Sequence, residues 1–217
     1  MRPSLRYGTR VVCLALLFSA GVAAQQTQLT DAQLEAAALE VPQLVKVLEL
    51  KPGMTVADVG AGFGAWTMEF AKVVGPTGRV YASDIGTPQL AALREAAKRH
   101  ANVTVVEGAA QTTNLPANCC DAILIRDAYH HLTEPAAIIK SMAAALKQGG
   151  RLAVIDFPPR PKSEVPSGVP ADRLGHGVPP EVVVREVGAA LAHVRTIGTW
   201  TPQSQPASLF LVLFRKP

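Results

Sequence analysis

The sequence predicts an α/β protein built on an open parallel sheet with helices on both faces. Short apolar runs alternate in strict order with segments of helical period over most of the chain, which is the pattern of repeated strand-helix units. The apolar runs, for example Asp121–Ile125 and Arg151–Ile155, are nearly continuous, as strands covered on both sides must be. A length of 217 residues holds one sizeable core and is short for two. Apolar residues at 48% and aromatic residues at 5% fit a helix-rich α/β chain better than a disordered or all-β one.

The first strand is the organising element. The run Val56-Ala57-Asp58-Val59 leads into Gly60-Ala61-Gly62-Phe63-Gly64, and Trp66, Met68, Phe70, Val73 and Val74 follow at helical spacing. Strand, tight glycine turn and helix in this order bring backbone close to a ligand, with the free N–H groups of the helix start facing the same space. A glycine turn of this kind is also found in βα units that bind nothing, so the surrounding residues must decide.

Residues 1–24 read as a secretory leader. Arg2, Arg6 and Arg10 precede an apolar run from Val11 to Ala24 that closes on Val22-Ala23-Ala24, a small-residue cleavage pattern. The run is shorter than the roughly 20 residues that span a bilayer, so cleavage after Ala24 is expected, with no stable membrane anchor afterwards. Three of the 21 basic side chains lie in this leader, which leaves 18 against 17 acidic ones in residues 25–217. The basicity of the whole chain therefore belongs largely to its leader, and no basic stripe remains for a nucleic-acid partner. Cys119 and Cys120 are adjacent. A bridge between neighbours strains its ring, so two free, half-buried residues are expected, and no metal site is read from the sequence.

From Gln25 the chain is expected to form one domain. Thr30 and Gln33 resemble a capping box before an amphipathic helix that Pro42 is expected to interrupt, with a second short helix up to Leu48. Val80–Asp84 reads as the second strand, followed by a helix that Thr87-Pro88 caps; Asn102–Glu107 is the third strand and Asp121–Ile125 the fourth. Pro135 opens a helix that Gly149-Gly150 closes, and Arg151–Ile155 is the fifth strand. The segment 157–179 is rich in Pro, Gly and charge without any period, and reads as a functional cover over the strand ends. A helix from Pro180 to about Leu191 precedes two strands, Val194–Trp200 and Ser208–Phe214, expected as an antiparallel hairpin at the sheet end.

Five strands end in or just before a carboxylate: Asp58, Asp84, Glu107, Asp127 and Asp156. In an open parallel sheet these ends share the ligand-binding edge, so together they form a negative rim suited to a cationic or hydroxyl-rich ligand.

Asp58 to Gly64, then Asp84, Leu115-Pro116 before Asp121-Ala122-Ile123, and Leu146-Lys147-Gln148-Gly149-Gly150-Arg151-Leu152 resemble, in order and spacing, the class I S-adenosylmethionine-dependent methyltransferases. The resemblance runs from about Leu44 to Pro217. It implies a Rossmann-like sheet of seven strands, mostly parallel, with the last strand antiparallel. It also implies that Gly60, Ala61 and Gly62, with Gly64 completing the turn, lie against the methionine part of S-adenosylmethionine, and that Asp58 stands near its amino group. Asp84 would accept from both ribose hydroxyls and Ile85 would pack on the adenine. After Gly108, where many relatives carry an Asp toward the adenine amino group, this chain has Ala109, with Gln111 as the substitute.

Arg126, Asp127, Tyr129, His130 and His131 follow the fourth strand, where members of that family place groups near the transferred methyl. Arg126 is assigned to the cofactor, and Asp127, Tyr129 and His131 to catalysis together with His176 of the cover. His131 and His176 are expected to face each other across the methyl-transfer site, with a small molecule as acceptor. His130 reads equally well as a packed or capping residue. Two other classes stay open. A leader argues for an exported binding module of methyltransferase shape without activity. Gly60, Gly62 and Ala65 with Asp84 can also be read as an NAD(P) fingerprint, although the acidic rim would repel its phosphates.

Overall fold

The computed structural model describes residues 29–200 and 209–217. The expected leader at 1–24 and residues 201–208 lie outside the described residues. Seven strands form one sheet: β1 (Thr55–Val59), β2 (Arg79–Asp84), β3 (Val103–Glu107), β4 (Cys120–Arg126), β5 (Leu146–Asp156), β6 (Ala192–Trp200) and β7 (Leu209–Arg215). Their order across the sheet is β3-β2-β1-β4-β5-β7-β6. The pairs among β1 to β5 are parallel, and β7 runs antiparallel to both β5 and β6. The two terminal strands pair antiparallel at the end of the sheet, as the sequence suggested, with β7 between β5 and β6 so that β6 forms the edge.

The helices are α1 (Asp31–Leu48), α2 (Ala65–Val74), α3 (Thr87–Ala97), α4 (Pro135–Ala145) and α5 (Pro180–Gly188). Residue alternation along each strand sorts the core into two layers. In β7, Leu209, Leu211 and Leu213 join α1 and α2 on one side, whereas Phe210, Val212 and Phe214 join α4 and α5 on the other. The same division holds for Leu124 against Ile123 and Ile125 in β4. A strand that must be apolar at every position leaves no polar alternation, which is why the central runs read as continuous.

Four local expectations are corrected. Pro42 does not interrupt the first helix; α1 runs through it. Pro42 and Ala38, whose carbonyl loses its N–H partner, are both exposed, while Val41, Leu44, Val47 and Leu48 are buried. Burying such side chains stabilises by about 1.5–3 kcal/mol each, more in sum than the roughly 3 kcal/mol of an internal proline. Thr87-Pro88 opens α3 from within, at its first positions, and Gly86 is the capping residue. Cys119 and Cys120 are joined in a disulfide instead of standing free. They occupy the turn into β4, where the β4–β5 register shifts between Cys120 and Ala122, so the backbone there is already out of the regular strand path that would hold neighbouring side chains on opposite faces. Likewise β5 begins at Leu146, so Gly149-Gly150 lies within the strand segment and not at a helix end. The capping box is present, with Thr30 Oγ1 accepting from Gln33 N and Thr30 N donating to Gln33 Oε1. Among the described residues, no helix is long and apolar enough to cross a membrane.

Candidate active site

The turn after β1 sits at the carboxyl edge of the sheet. Gly60 and Gly62 have φ of 70° and 56°, and Gly64, which caps α2, has φ of 89°. A Cβ on Gly60 would lie 2.6 Å from Ala128 Cβ, so the turn is pressed against the segment that follows β4. A Cβ on Gly62 would meet nothing within 4 Å. Gly62 faces open space, as a backbone position reserved for a ligand would. The turn is held by Gly60 N and Ala61 N, which donate to Ser83 O at 2.8 and 3.1 Å.

Two cavities meet over this turn, and Gly60, Gly62, Gln89, Asp127 and His131 line both. The larger, of about 740 Å³, also takes in Asp58, Ala61, Trp66 and Arg126. The smaller, of about 380 Å³, takes in Asp84, Ile85, Gly108, Ala109 and Thr113. Ile85 is 64% exposed, an apolar side chain left open at the smaller cavity. Gln89 Oε1 is buried without a hydrogen-bond partner, an acceptor facing the same space. Gln111 is exposed and lines neither cavity, so it does not take the place the resemblance gave it. It lies in the turn closed by the Ala109–Thr112 bridge, which carries it past the cleft.

Of the five strand-end carboxylates, three reach the cleft. Asp58 is buried at the base of the larger cavity and accepts the hydroxyl proton of Thr67 at 2.6 Å. Burial raises its pKa to about 6 and the nearby charge of Asp84 pushes the same way, partly offset by the Thr67 hydrogen bond and by Arg126. Asp84 accepts three backbone N–H groups, from Gly62 at 2.8 Å, Ile85 at 2.8 Å and Gly86 at 2.9 Å. Asp127 has φ of 53° and stands at the meeting point of the cavities. Desolvation by the cleft walls and then the charge of Asp156 hold its carboxyl above the usual range. Glu107 instead turns outward to Arg94 at 3.0 Å, and Asp156 turns inward to His130, so neither belongs to a cofactor rim.

The acceptor-side residues separate in a 3-10 turn, Tyr129–His131. Tyr129 is not a cleft residue. It is fully buried in the core, its hydroxyl donates to Glu186 Oε2 at 2.6 Å, and burial and that carboxylate both push its pKa upward. His131 faces the cleft. Its imidazole is pushed down to about 4, first by desolvation and then by His130 and His176. His131 and His176 are direct neighbours, with ring centroids 5.6 Å apart, and His176 lines neither cavity. His176 is likewise lowered, by desolvation first and then by His130 and Arg160.

The sequence reading held a packed His130 open but missed its Asp156 partner, and it missed Glu40 altogether. His130 is 2% exposed, and its Nδ1 hydrogen-bonds Asp156 Oδ1 at 2.9 Å, with its ring 4.0 Å from His131 and 4.9 Å from His176. Glu40, fully buried on α1, accepts from Trp66 Nε1 at 2.7 Å, Arg126 Nε at 2.6 Å and Trp200 Nε1 at 2.6 Å. The Arg126 guanidinium also lies 3.9 Å over the Trp66 ring. Arg126 therefore lines the larger cavity as a wall, with its charge already engaged.

The comparisons agree with this geometry. Residues 56–150 match the methyltransferase-domain family. A ubiquinone/menaquinone biosynthesis C-methyltransferase UbiE of Shewanella pealeana is 36% identical over 118 residues, covering 53% of this chain and 47% of the relative. The corresponding Enterobacter protein is 35% identical over 111 residues, 50% of this chain and 44% of the relative. The chain thus spans about half the length of the curated relatives it matches. A crystal structure of an S-adenosylmethionine-dependent methyltransferase from Aquifex aeolicus superposes with a TM-score of 0.68 at 25% identity, covering 87% of this chain and 94% of that one. A Haemonchus contortus phosphoethanolamine N-methyltransferase bound to S-adenosylmethionine shares the fold, with a TM-score of 0.64 at 14% identity over 83% of this chain and 52% of that one. The glycine turn, the seven-strand order with β7 reversed and these matches together support a class I S-adenosylmethionine-dependent methyltransferase domain, with the family match over residues 56–150.

Proposed function

We propose that the protein transfers the methyl group of S-adenosylmethionine to a small-molecule acceptor. The observation that carries this reading is the cleft over the glycine turn, in which Asp58, Asp84 and Asp127 surround the open space at Gly62. A ligand with a sulfonium and an ammonium suits three carboxylates, whereas the phosphates of a dinucleotide would be repelled. Gln89 Oε1 and the open side chain of Ile85 fit a ligand that brings a hydrogen-bond donor and a flat apolar ring to the smaller cavity. Bound there, the cofactor supplies an electrophilic methyl. This chain's part is then alignment of acceptor, methyl carbon and leaving sulfur, which accounts for most of the acceleration in such a transfer.

Asp127 and His131 stand where the acceptor would enter, as groups that orient it, and Asp127 takes its proton where the acceptor carries one. The names of the UbiE relatives make a quinol-type ring the first acceptor to try. We also read residues 1–24 as a cleaved leader, supported by Arg2, Arg6 and Arg10 ahead of the apolar run and by Val22-Ala23-Ala24. Exported protein should then begin near Gln25 on N-terminal sequencing, and a product that retains Met1 would remove that reading.

Calorimetry of residues 25–217 with S-adenosylmethionine, S-adenosylhomocysteine and NAD tests the main proposal. Saturable one-to-one binding of the first two and none of NAD is the expected result. Binding of NAD alone would replace the reading with a nicotinamide enzyme. Binding of the first two without transfer to any of a panel of phenols and quinols would favour a binding module.

A further inference from the structure

Three histidines from two distant parts of the chain meet beside the cleft. His130 and His131 come from the 3-10 turn after β4, and His176 from the cover. One ring nitrogen of each lies within 4.8 Å of those of the other two. We propose that His130, His131 and His176 form a site for a divalent transition-metal ion of the zinc class, with its fourth coordination position open to the cleft.

The arrangement around the rings supports this in three ways. His130 is buried, and its Nδ1 sits between the two oxygens of Asp156, at 2.9 and 3.1 Å. That partner places the proton on Nδ1 and leaves the Nε2 lone pair free, the carboxylate–imidazole pairing that orients and strengthens a metal ligand. Asp156 is itself fixed, since Oδ1 accepts from Phe157 N at 2.9 Å and Oδ2 from His130 N at 3.0 Å. By contrast, the rings of His131 and His176 make no hydrogen bond to protein among the described residues, although each is packed against other rings. Two imidazoles crowded onto a third, with no protein partner for their ring nitrogens among the described residues, leave those nitrogens available as ligands.

The backbone of His176 is also held in place. His176 N donates to Ser163 Oγ at 2.7 Å, and Arg160 N donates to His176 O at 2.9 Å. On either side, Gly175 and Gly177 have φ of 139° and 127°, and a Cβ on Gly177 would lie 2.7 Å from Pro158 O. The strand-end cover is thus bent by two glycines to deliver this one imidazole.

Zinc held by three imidazoles at about 2.0–2.1 Å draws the nitrogens to roughly 3.3–3.5 Å from one another. Side-chain adjustment of His131 and His176, neither of which is held by a ring hydrogen bond among the described residues, would close the difference from the present spacing of within 4.8 Å. Three neutral nitrogen ligands suit zinc, cobalt, nickel or copper and not magnesium or calcium, which favour oxygen. Because His131 lines both cavities, the remaining position faces the acceptor end of the cleft. There it would take an oxygen of the acceptor, which is the one part of this inference that rests on the methyltransferase reading.

The test is titration of tag-free, chelator-treated protein with Zn²⁺ by calorimetry and with Co²⁺ by visible absorption, in the absence of S-adenosylmethionine. The expected result is one ion per chain and the intense visible band of four-coordinate cobalt. His131→Ala and His176→Ala should each weaken binding at least about tenfold and the double variant should abolish it. Asp156→Asn, a change to a positioning residue, should weaken binding about 10–100-fold with all three imidazoles still present. Thermal melts of each variant without metal establish that it is folded, and His131 and His176 are not fully buried, so their removal leaves the core intact. Absence of saturable one-to-one binding overturns the proposal, as does unchanged affinity in the His131→Ala, His176→Ala double variant. Neither result touches the cofactor reading, which stands or falls on S-adenosylmethionine binding by itself.

Discussion

The carboxylate of Glu40, on α1, accepts the Nε–H of Arg126, at the end of β4, at 2.6 Å, and side-chain exposures of 0% and 9% put both outside bulk water. An acid and a base so placed hold the first helix to the wall of the cleft. Removing one partner of such a pair leaves the other charge buried and unmatched, which typically costs about 3–5 kcal/mol. Glu40→Ala should therefore lower stability by an amount in that range, measured by urea unfolding followed by circular dichroism. Glu40→Gln, which keeps one acceptor oxygen, should cost less. Equal and small losses in both would mean that the pair contributes little beyond packing.

Asp58 predicts a pH dependence opposite to that of most carboxylates. Its folded pKa, raised to about 6, lies above the unfolded value, so the folded state binds the extra proton in the interval between them. Ligand-free protein should lose stability, on the order of 2–3 kcal/mol, as pH rises from about 4 to 6, and then level off. Asp58→Asn should flatten that slope and make the ligand-free protein more stable at pH 7. If the ammonium of the cofactor lies against Asp58, it favours the ionised form, so affinity should increase as pH rises through about 6 in the parent and not in the variant. Calorimetry across that interval reads both.

Gly60 and Gly62 should respond differently to the same change. Gly60→Ala meets Ala128 Cβ at 2.6 Å as well as an unfavourable φ, so a loss of about 2–4 kcal/mol in stability is expected. Gly62→Ala has only the φ strain, about 1–2 kcal/mol, because nothing lies within 4 Å of the new methyl. That methyl enters the cleft, so S-adenosylmethionine affinity should fall at least about tenfold. A Gly62→Ala protein that melted early yet bound cofactor normally would count against the cleft as the binding site.

Asp84 joins the two jobs of fold and ligand. Its oxygens already accept from Gly62, Ile85 and Gly86, which keeps the glycine turn and the start of α3 in register. Asp84→Ala should weaken S-adenosylmethionine binding by at least about 1–2 kcal/mol, through lost ribose contacts and a looser turn. Titration of the variant gives the answer directly, and equal affinity would remove this carboxylate from the ribose.

The parts of this protein legible in the sequence are those that neighbouring residues decide. Strand β1, the glycine turn and α2 follow from some twenty contiguous positions. Continuous apolar runs and period-3.6 patterns placed most of the remaining elements within a residue or two, the start of β5 and the undivided α1 excepted. What escaped depends on where distant segments meet. The partners of Glu40 lie 26, 86 and 160 residues away along the chain, and no spacing rule connects them. Tyr129 and His131 were assigned together because they are close in sequence. A 3-10 turn rotates each successive side chain by about 120°, so Tyr129 enters the core while His131 faces the cleft. The strand-end acids failed in the same way at two of five positions, since proximity to the sheet edge does not determine which way Glu107 and Asp156 point.

The chain has two tryptophans, and both indole N–H groups end on the Glu40 carboxylate. Its intrinsic fluorescence is consequently a single-site signal. Trp66 borders the larger cavity under the Arg126 guanidinium, so any ligand that enters there alters the field around one emitter, and any loosening of α1 alters both. The protein carries a built-in optical reporter of cleft occupancy and of first-helix docking, readable without a label.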